Sequence, residues 1–154
     1  MDILVVLEND QGSLHRLSKE AIVGAHKLGE SVSVLAMGSL SQEIVSYLEG
    51  CDLEKVITVD HELISSYNAD GYSEVARQVI DSYSPRIIVA GHTYQTRDFM
   101  PRVSAKLRIP FIPDIVSLSD EGFVKQILNA KLNAKISSSS EQLILSFQSA
   151  AFSE

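Results

Sequence analysis

Apolar residues along this chain fall into two patterns: short unbroken runs, and stretches in which they recur every three to four positions. Ile3-Leu4-Val5-Val6-Leu7 is an unbroken run, which predicts a first strand covered on both faces. The polar loop Glu8-Asn9-Asp10-Gln11-Gly12 follows, with Gly12 free to take a positive φ. Ala21, Ile22, Ala25 and Leu28 then form a helical stripe, with Ser18 as its predicted cap and Gly29 as its stop. Ser31 to Met37 reads as strand two, ending at Gly38-Ser39. Ser41 predicts the cap of a second helix, with Ile44, Val45 and Leu48 inward and Gly50 past its end. Val56-Ile57-Thr58-Val59 is strand three. Residues 61–68 read as a loop with one helical turn, and a third helix starts at Asp70 or Ser73, turns Val75, Val79 and Ile80 inward, and breaks before Pro85.

The stretch 86–118 organises the rest. Arg86-Ile87-Ile88-Val89-Ala90 is a buried strand that stops at Gly91. A short polar loop leads to a helix capped by Thr96 or Asp98, with Pro101 in its first turn and Phe99, Val103 and Leu107 on one face. Ile109-Pro110 ends it, because the residue before proline is pushed out of the α region. Phe111-Ile112, bracketed by Pro110 and Pro113, reads as an extended loop serving as a buried plug or a subunit contact. Ile115-Val116-Ser117-Leu118 opens the next strand. This is a βαβ unit whose loop lies at the carboxyl end of a strand, where open α/β sheets place ligands and partners. After Leu118 the helical spacers stop. Residues 119–122 read as a turn, and residues 123–128, 132–136 and 143–147 as short strands, with 137–141 a hairpin loop between the last two. The prediction is one doubly wound α/β domain with a mostly parallel sheet and antiparallel strands at its C-terminal end.

Composition narrows the function. The 154 residues suit a single domain, and 13 basic against 20 acidic residues, a formal charge of −7, argue against a nucleic-acid surface or an anionic membrane. Cys51 is the only cysteine, no apolar run reaches the ~20 residues of a membrane span, and no basic leader opens the chain; a cytoplasmic location follows. Neither G-x-G-x-x-G, nor a P-loop, nor a G-x-S-x-G elbow occurs. His15, His26, His61 and His92 are scattered without ligand spacing, so no metal is expected. Cys51, just past a helix C-terminus, reads as a half-buried thiol of ordinary reactivity. Glu8, at the end of strand one, is a loop or interface hydrogen-bonding group, or a base without a visible partner. His92 and Thr93 occupy the most site-like position: they contact a ligand or partner, or Thr93 bonds the loop backbone while His92 is solvated. Arg97, Arg102, Lys106 and Arg108 form a basic flank, either a solvated face paired with Asp98 or a dock for an acidic partner, to which Arg97 and Arg102 would offer forked contacts.

Gly91-His92-Thr93, Arg97-Asp98, Pro101-Arg102-Val103, Ala105, Leu107 and Asp114-Ile115-Val116 together resemble the signature of the amino-terminal domain of the electron transfer flavoprotein alpha subunit. Val5-Val6-Leu7-Glu8 with Glu20, Ala21, Ala25, Leu28-Gly29 and Val32 is similar to its opening segment, and Asn129-Ala130 onward to Phe152 to its closing one. Two departures stand out. Gln95-Thr96 replaces a usual glycine before Arg-Asp, and Gln148-Ser149-Ala150-Ala151-Phe152 stands where Arg-Pro-Gly-Ala-Phe is typical. The resemblance implies a Rossmann-like fold of the adenine nucleotide alpha hydrolase-like kind. It further implies an alpha–beta heterodimer that takes electrons from dehydrogenases at FAD and passes them to an acceptor. In that family this domain is scaffold: it packs on the beta subunit and carries the FAD-binding carboxyl-terminal domain, which is expected to be absent from these 154 residues. The chain alone is then expected neither to catalyse nor to hold FAD tightly, its cofactor-binding residues are unassigned, and a homodimer of the isolated domain stays open. Glu8, His92, Thr93, Arg97, Asp98 and Arg102 become switch-point or subunit-interface candidates. The competing reading is a free-standing nucleotide-binding module similar to the universal stress proteins, but its late glycine-rich segment is missing, since only Gly122 follows Leu118. A hydrolase using His92 or Glu8 lacks an identifiable nucleophile and ranks last.

Overall fold

A computed structural model describes residues 1–119, 122–127, 132–136 and 141–152. Its main sheet has eight strands in the order β5-β4-β1-β6-β10-β7-β8-β9. These are β1 (Ile3–Val6), β4 (Val32–Met37), β5 (Val56–Val59), β6 (Ile87–Gly91), β7 (Phe111–Ser119), β8 (Gly122–Ile127), β9 (Leu132–Ile136) and β10 (Leu143–Phe147), while β2 (Asn9–Asp10) and β3 (Ser13–Leu14) form a separate hairpin. Pairing is parallel from β5 across to β7, and antiparallel from β7 to β8 and β8 to β9. All four residues of β1 are buried. Their side chains alternate between two cores. Ile3 and Val5 meet Ala21, Ile22 and Ala25 of α1 (Arg16–His26) and Ile44 and Leu48 of α2 (Gln42–Glu49). Leu4 and Val6 meet Ala76, Val79 and Ile80 of α3 (Ala69–Tyr83) and Phe99, Met100 and Val103 of α4 (Tyr94–Leu107). Each such fully buried aliphatic side chain contributes about 1.5–3 kcal/mol, which is why the unbroken apolar run sits at the centre. The chain leaves β1 for β4 and β5 on one side, then returns to lay β6 on the other. The winding direction therefore switches between the carboxyl ends of β1 and β6.

Several boundaries differ from the sequence reading. Residues 132–136 and 143–147 are both strands, but they do not form a hairpin: β10 inserts between β6 and β7 and runs parallel to both. The turn expected over 119–122 and the loop over 137–141 fall partly outside the described residues. β6 and β7, joined by α4, are therefore not neighbours. Phe111-Ile112 is no loop but the start of β7, with Ile112 buried. Thr93 caps α4 by accepting from Thr96 N–H (3.1 Å), so Pro101 lies well inside the helix. Asn68 caps α3 and His15 caps α1, whereas Ser18 is buried and accepts from Glu8 N–H at 2.8 Å. The Thr93 cap is also held by the tertiary fold, through its bond to Glu8, whereas Asn68 is held locally by the Leu63 carbonyl. Ser41 caps α2 as expected, Gly50 follows it, and the short 3-10 turn Glu62–Ile64 is the helical turn expected in the third loop.

Two backbone positions decide how the carboxyl edge is built. Ala150 takes a left-handed conformation (φ 64°) at the position where the related signature has glycine. Its N–H donates to buried Glu20 at 2.7 Å, and Glu20 is held by Arg16 at 2.6 Å. Gly91, at the end of β6, packs directly on α1: an added Cβ would lie 2.6 Å from Leu17 Cβ and 2.9 Å from the Leu17 carbonyl oxygen. Gly91→Ala should therefore force α1 away from the sheet and destabilise the fold by about 1–3 kcal/mol, read as a lower urea midpoint with an unchanged m-value; an unchanged midpoint would show that α1 yields freely.

Candidate functional site

The carboxyl edge at the switch point is built from loops leaving β1 and β6. Glu8 follows β1, and its carboxylate receives the Thr93 hydroxyl at 2.6 Å on one oxygen, with His15 Nε2 3.7 Å from the other. A threonine hydroxyl has one proton, and the short bond to the carboxylate takes it; its lone pairs accept from Thr96 N–H to cap α4. His15 caps α1 in turn by accepting from Leu17 N–H at 3.0 Å. The Glu8 carboxylate thus stands between the N-termini of two helices, where partial positive charge stabilises an anion. Its side chain is only 18% exposed. Its charge also reaches Tyr72, whose hydroxyl pKa is pushed up by burial and then by Glu8.

A second cluster lies one strand further along. His92 N–H donates to the Phe147 carbonyl at 2.9 Å, fixing the loop to β10. His92 Nδ1 lies 2.8 Å from the hydroxyl of Ser146, which is fully buried and also accepts from Asp114 N–H at 3.0 Å. Asp114 sits in a bulge of β7, where Leu145 and Phe147 pair with Ile112 and Ile115, and its φ is 61°. The buried serine proton needs an acceptor, and His92 Nδ1 supplies it, leaving the ring proton on Nε2. Burial pushes the His92 pKa below its ordinary 6.5; Asp114 opposes this, while Arg97 and Lys125 reinforce it. The imidazole is neutral near neutral pH and offers one N–H from a half-buried ring.

The remaining candidates diverge. Asp98 is not paired with the basic flank but accepts from the Tyr67 hydroxyl at 2.7 Å, and burial followed by that bond raises the tyrosine pKa. Tyr67 and Phe99 each pack edge-on against Tyr72, and are themselves tilted by 55° with ring centroids 6.3 Å apart. Arg102 reaches Asp70 at 2.7 Å, an ion pair on the surface. Arg97 lies over the ring of Tyr94 at 5.5 Å, and Tyr94 is 85% exposed. The structure therefore brings Glu8 and Thr93 together, sets His92 beside Ser146, and leaves Arg102 and Asp98 outside that cluster. Ser146 carried no sequence signal, being one serine in an apolar strand; Tyr94 carried one, a large aromatic in a polar loop. Among the described residues, no group of three or more His, Cys, Asp and Glu could hold a metal ion, and no helix is long and apolar enough to cross a membrane.

Thr93→Val removes both the cap and the bond to Glu8. It should cost about 2 kcal/mol, with most of that recovered by Thr93→Ser; equal losses for both would deny the hydroxyl its role. His92 supplies a pH dependence. Its folded pKa is depressed, so as pH falls through 6.5 the unfolded chain takes up a proton that the folded chain refuses. Stability should fall as the pH drops from about 7.5 through 6.5, and His92→Gln should flatten that fall in urea titrations.

Comparison with known proteins agrees with this architecture. The family model described as "Electron transfer flavoprotein domain" matches residues 3–154. The electron transfer flavoprotein subunit alpha of Bacillus subtilis is 32% identical over 139 residues, covering 84% of this chain and 42% of the relative. That of Clostridium acetobutylicum is 28% identical over 120 residues, covering 75% and 36%. The acryloyl-CoA reductase electron transfer subunit beta of Anaerotignum propionicum is 31% identical over 121 residues, covering 76% and 33%. The chain thus spans less than half the length of each of these relatives. With the doubly wound sheet and the family signature at its switch point, this chain belongs to the electron transfer flavoprotein family, as an amino-terminal domain of the alpha-subunit type.

Proposed function

We propose that this domain is the scaffold and docking part of an electron transfer flavoprotein, and that its switch-point face seats a beta subunit instead of a nucleotide. The carrying observation is the Glu8 carboxylate, held by Thr93 at 2.6 Å between the two helix N-termini. A nucleotide phosphate needs that position, and it would meet a charge of its own sign there. For the same reason the switch point does not fit the pyrophosphate of FAD. In the proposal FAD belongs to the assembled complex, bound by parts outside these 154 residues, where it would receive electrons from dehydrogenases and pass them to an acceptor. This chain contributes shape and rigidity. The docking anchor is Tyr94 with Arg97 on its ring, an exposed aromatic–guanidinium pair of the kind that dominates interface energy. His92 Nε2–H adds a neutral donor beside it.

The test is titration of the co-purified beta subunit into the protein, followed by calorimetry. Replacing Tyr94 and Arg97 with alanine should weaken association at least tenfold, about 1.4 kcal/mol or more. Arg102→Ala should change it less than about twofold, because its charge is engaged with exposed Asp70 and such surface pairs contribute little. Undiminished association of the double variant would remove this face from the interface, and ATP binding by the wild-type chain would favour a nucleotide-binding module.

A further inference from the structure

Among the described residues the strand order ends at β5, which has a partner on one side only. Gly38 N–H donates to the Val59 carbonyl at 2.8 Å, so Val59 turns its backbone groups inward and Thr58 turns its own outward. Val56 is 46% exposed on this edge. Open apolar grooves flank the strand on both faces of the sheet. One, of about 290 Å³, is lined by Leu40, Val45, Leu48, Glu49 and Val56. The other, of about 320 Å³, lies among Val59, Leu63, Ile64, Gly71 and Val75, and Leu63 is 70% exposed. Grooves above and below one free edge are what an added strand requires, because its alternate side chains point to opposite faces.

Charge decides which strand. Exposed Glu49, Asp52, Glu54, Asp60 and Glu62 bracket the edge, and Lys55, the cation in that run, is turned onto the Tyr83 ring at 5.4 Å. A second copy pairing β5 with β5 in antiparallel register would set Asp52 and Glu54 of one chain against Asp60 and Glu62 of the other. Like charges directly opposed destabilise such a pair. We propose that the β5 edge accepts an extended segment of a partner protein, apolar at successive positions so that both of its faces carry apolar side chains, and flanked by lysine or arginine, which adds as a further strand and fills both grooves. This inference does not rest on the flavoprotein reading, and its test uses no beta subunit.

The probe is a fluorescein-labelled peptide, KKIVIVIKK, titrated by anisotropy against the full-length protein, beside EEIVIVIEE with the same centre. The expected result is saturable binding of the lysine form at least tenfold tighter than the glutamate form, weakening as salt is raised. Thr58→Pro removes an outward N–H without breaking the ladder to β4, and should cut binding at least tenfold while leaving the melting temperature nearly unchanged. Val56→Lys, which places a cation in the groove, should cut it as well and stands in if the proline variant unfolds. No binding up to millimolar peptide, equal binding of both peptides, full binding by a folded Thr58→Pro protein, or a β5-dependent homodimer in sedimentation would each overturn the proposal.

Discussion

Strand β1 is buried on both faces and paired in parallel on both edges, to β4 and to β6, and the other elements are arranged around that demand. A parallel neighbour can be reached only by a crossover, so each of the strands β4, β5, β6 and β7 is preceded by a helix, and each helix begins at the carboxyl edge of the sheet. The N-termini of α1 and α4 consequently converge beside the end of β1. Their unpaired N–H groups and aligned dipoles create a positive locus that something must occupy. Here the occupant is internal. Glu8, the second residue after β1, reaches across to the cap of α4, while its own N–H is received by Ser18 inside α1. One residue ties two helices to the central strand, at the crevice where other proteins of this architecture place a ligand.

The sequence revealed the order of elements better than their partners. Unbroken apolar runs identified β1 and β6 because burial on both faces leaves no polar alternation to obscure them, whereas β4 was read from a run that alternates at first and then turns apolar. Ser41 and Gly50 were legible as caps because both bond within the helix they flank: the Ser41 hydroxyl accepts from Ile44 N–H even while it donates to the Gly12 carbonyl, and Gly50 N–H donates to the Tyr47 carbonyl. Thr93 and Ser18 were not, because their hydroxyls serve residues 85 and 10 positions away, and local pattern carries no record of such bonds. The place of β10 was hidden for the same reason. A short apolar strand following two others reads as a meander, and only the vacancy that α4 leaves between β6 and β7 makes a parallel insertion the better burial.

At the site itself, residue types were visible but their engagements were not. Asp98 and Arg102 lie within one helix, at i and i+4, where a mutual ion pair is the simplest expectation. Each instead faces a different neighbour on the α3 side, Tyr67 and Asp70, so the basic flank is largely a seam between α3 and α4. Arg97, one turn nearer the carboxyl edge, is turned onto Tyr94, which points into solvent. The signature Arg-Asp and Pro-Arg motifs therefore split into packing and surface roles that spacing alone could not assign.

The last strand then has a part in the site that its position in the chain disguises. Residues 143–147 supply both edges of the pairing that holds β6 and β7 in one sheet. Its end also carries Ser146 and the Phe147 carbonyl, which fix His92, and Gln148 N–H continues the contact by donating to Ile115 at 2.9 Å. A ladder that joins residues more than fifty positions apart closes a long loop, with its entropic cost met only when the whole strand docks. Until β10 is in place, Ser146 is absent from the Asp114 bulge and His92 has neither of its partners. The carboxyl edge is consequently complete only when β10 is docked: β1 organises the sheet, and β10 completes the surface.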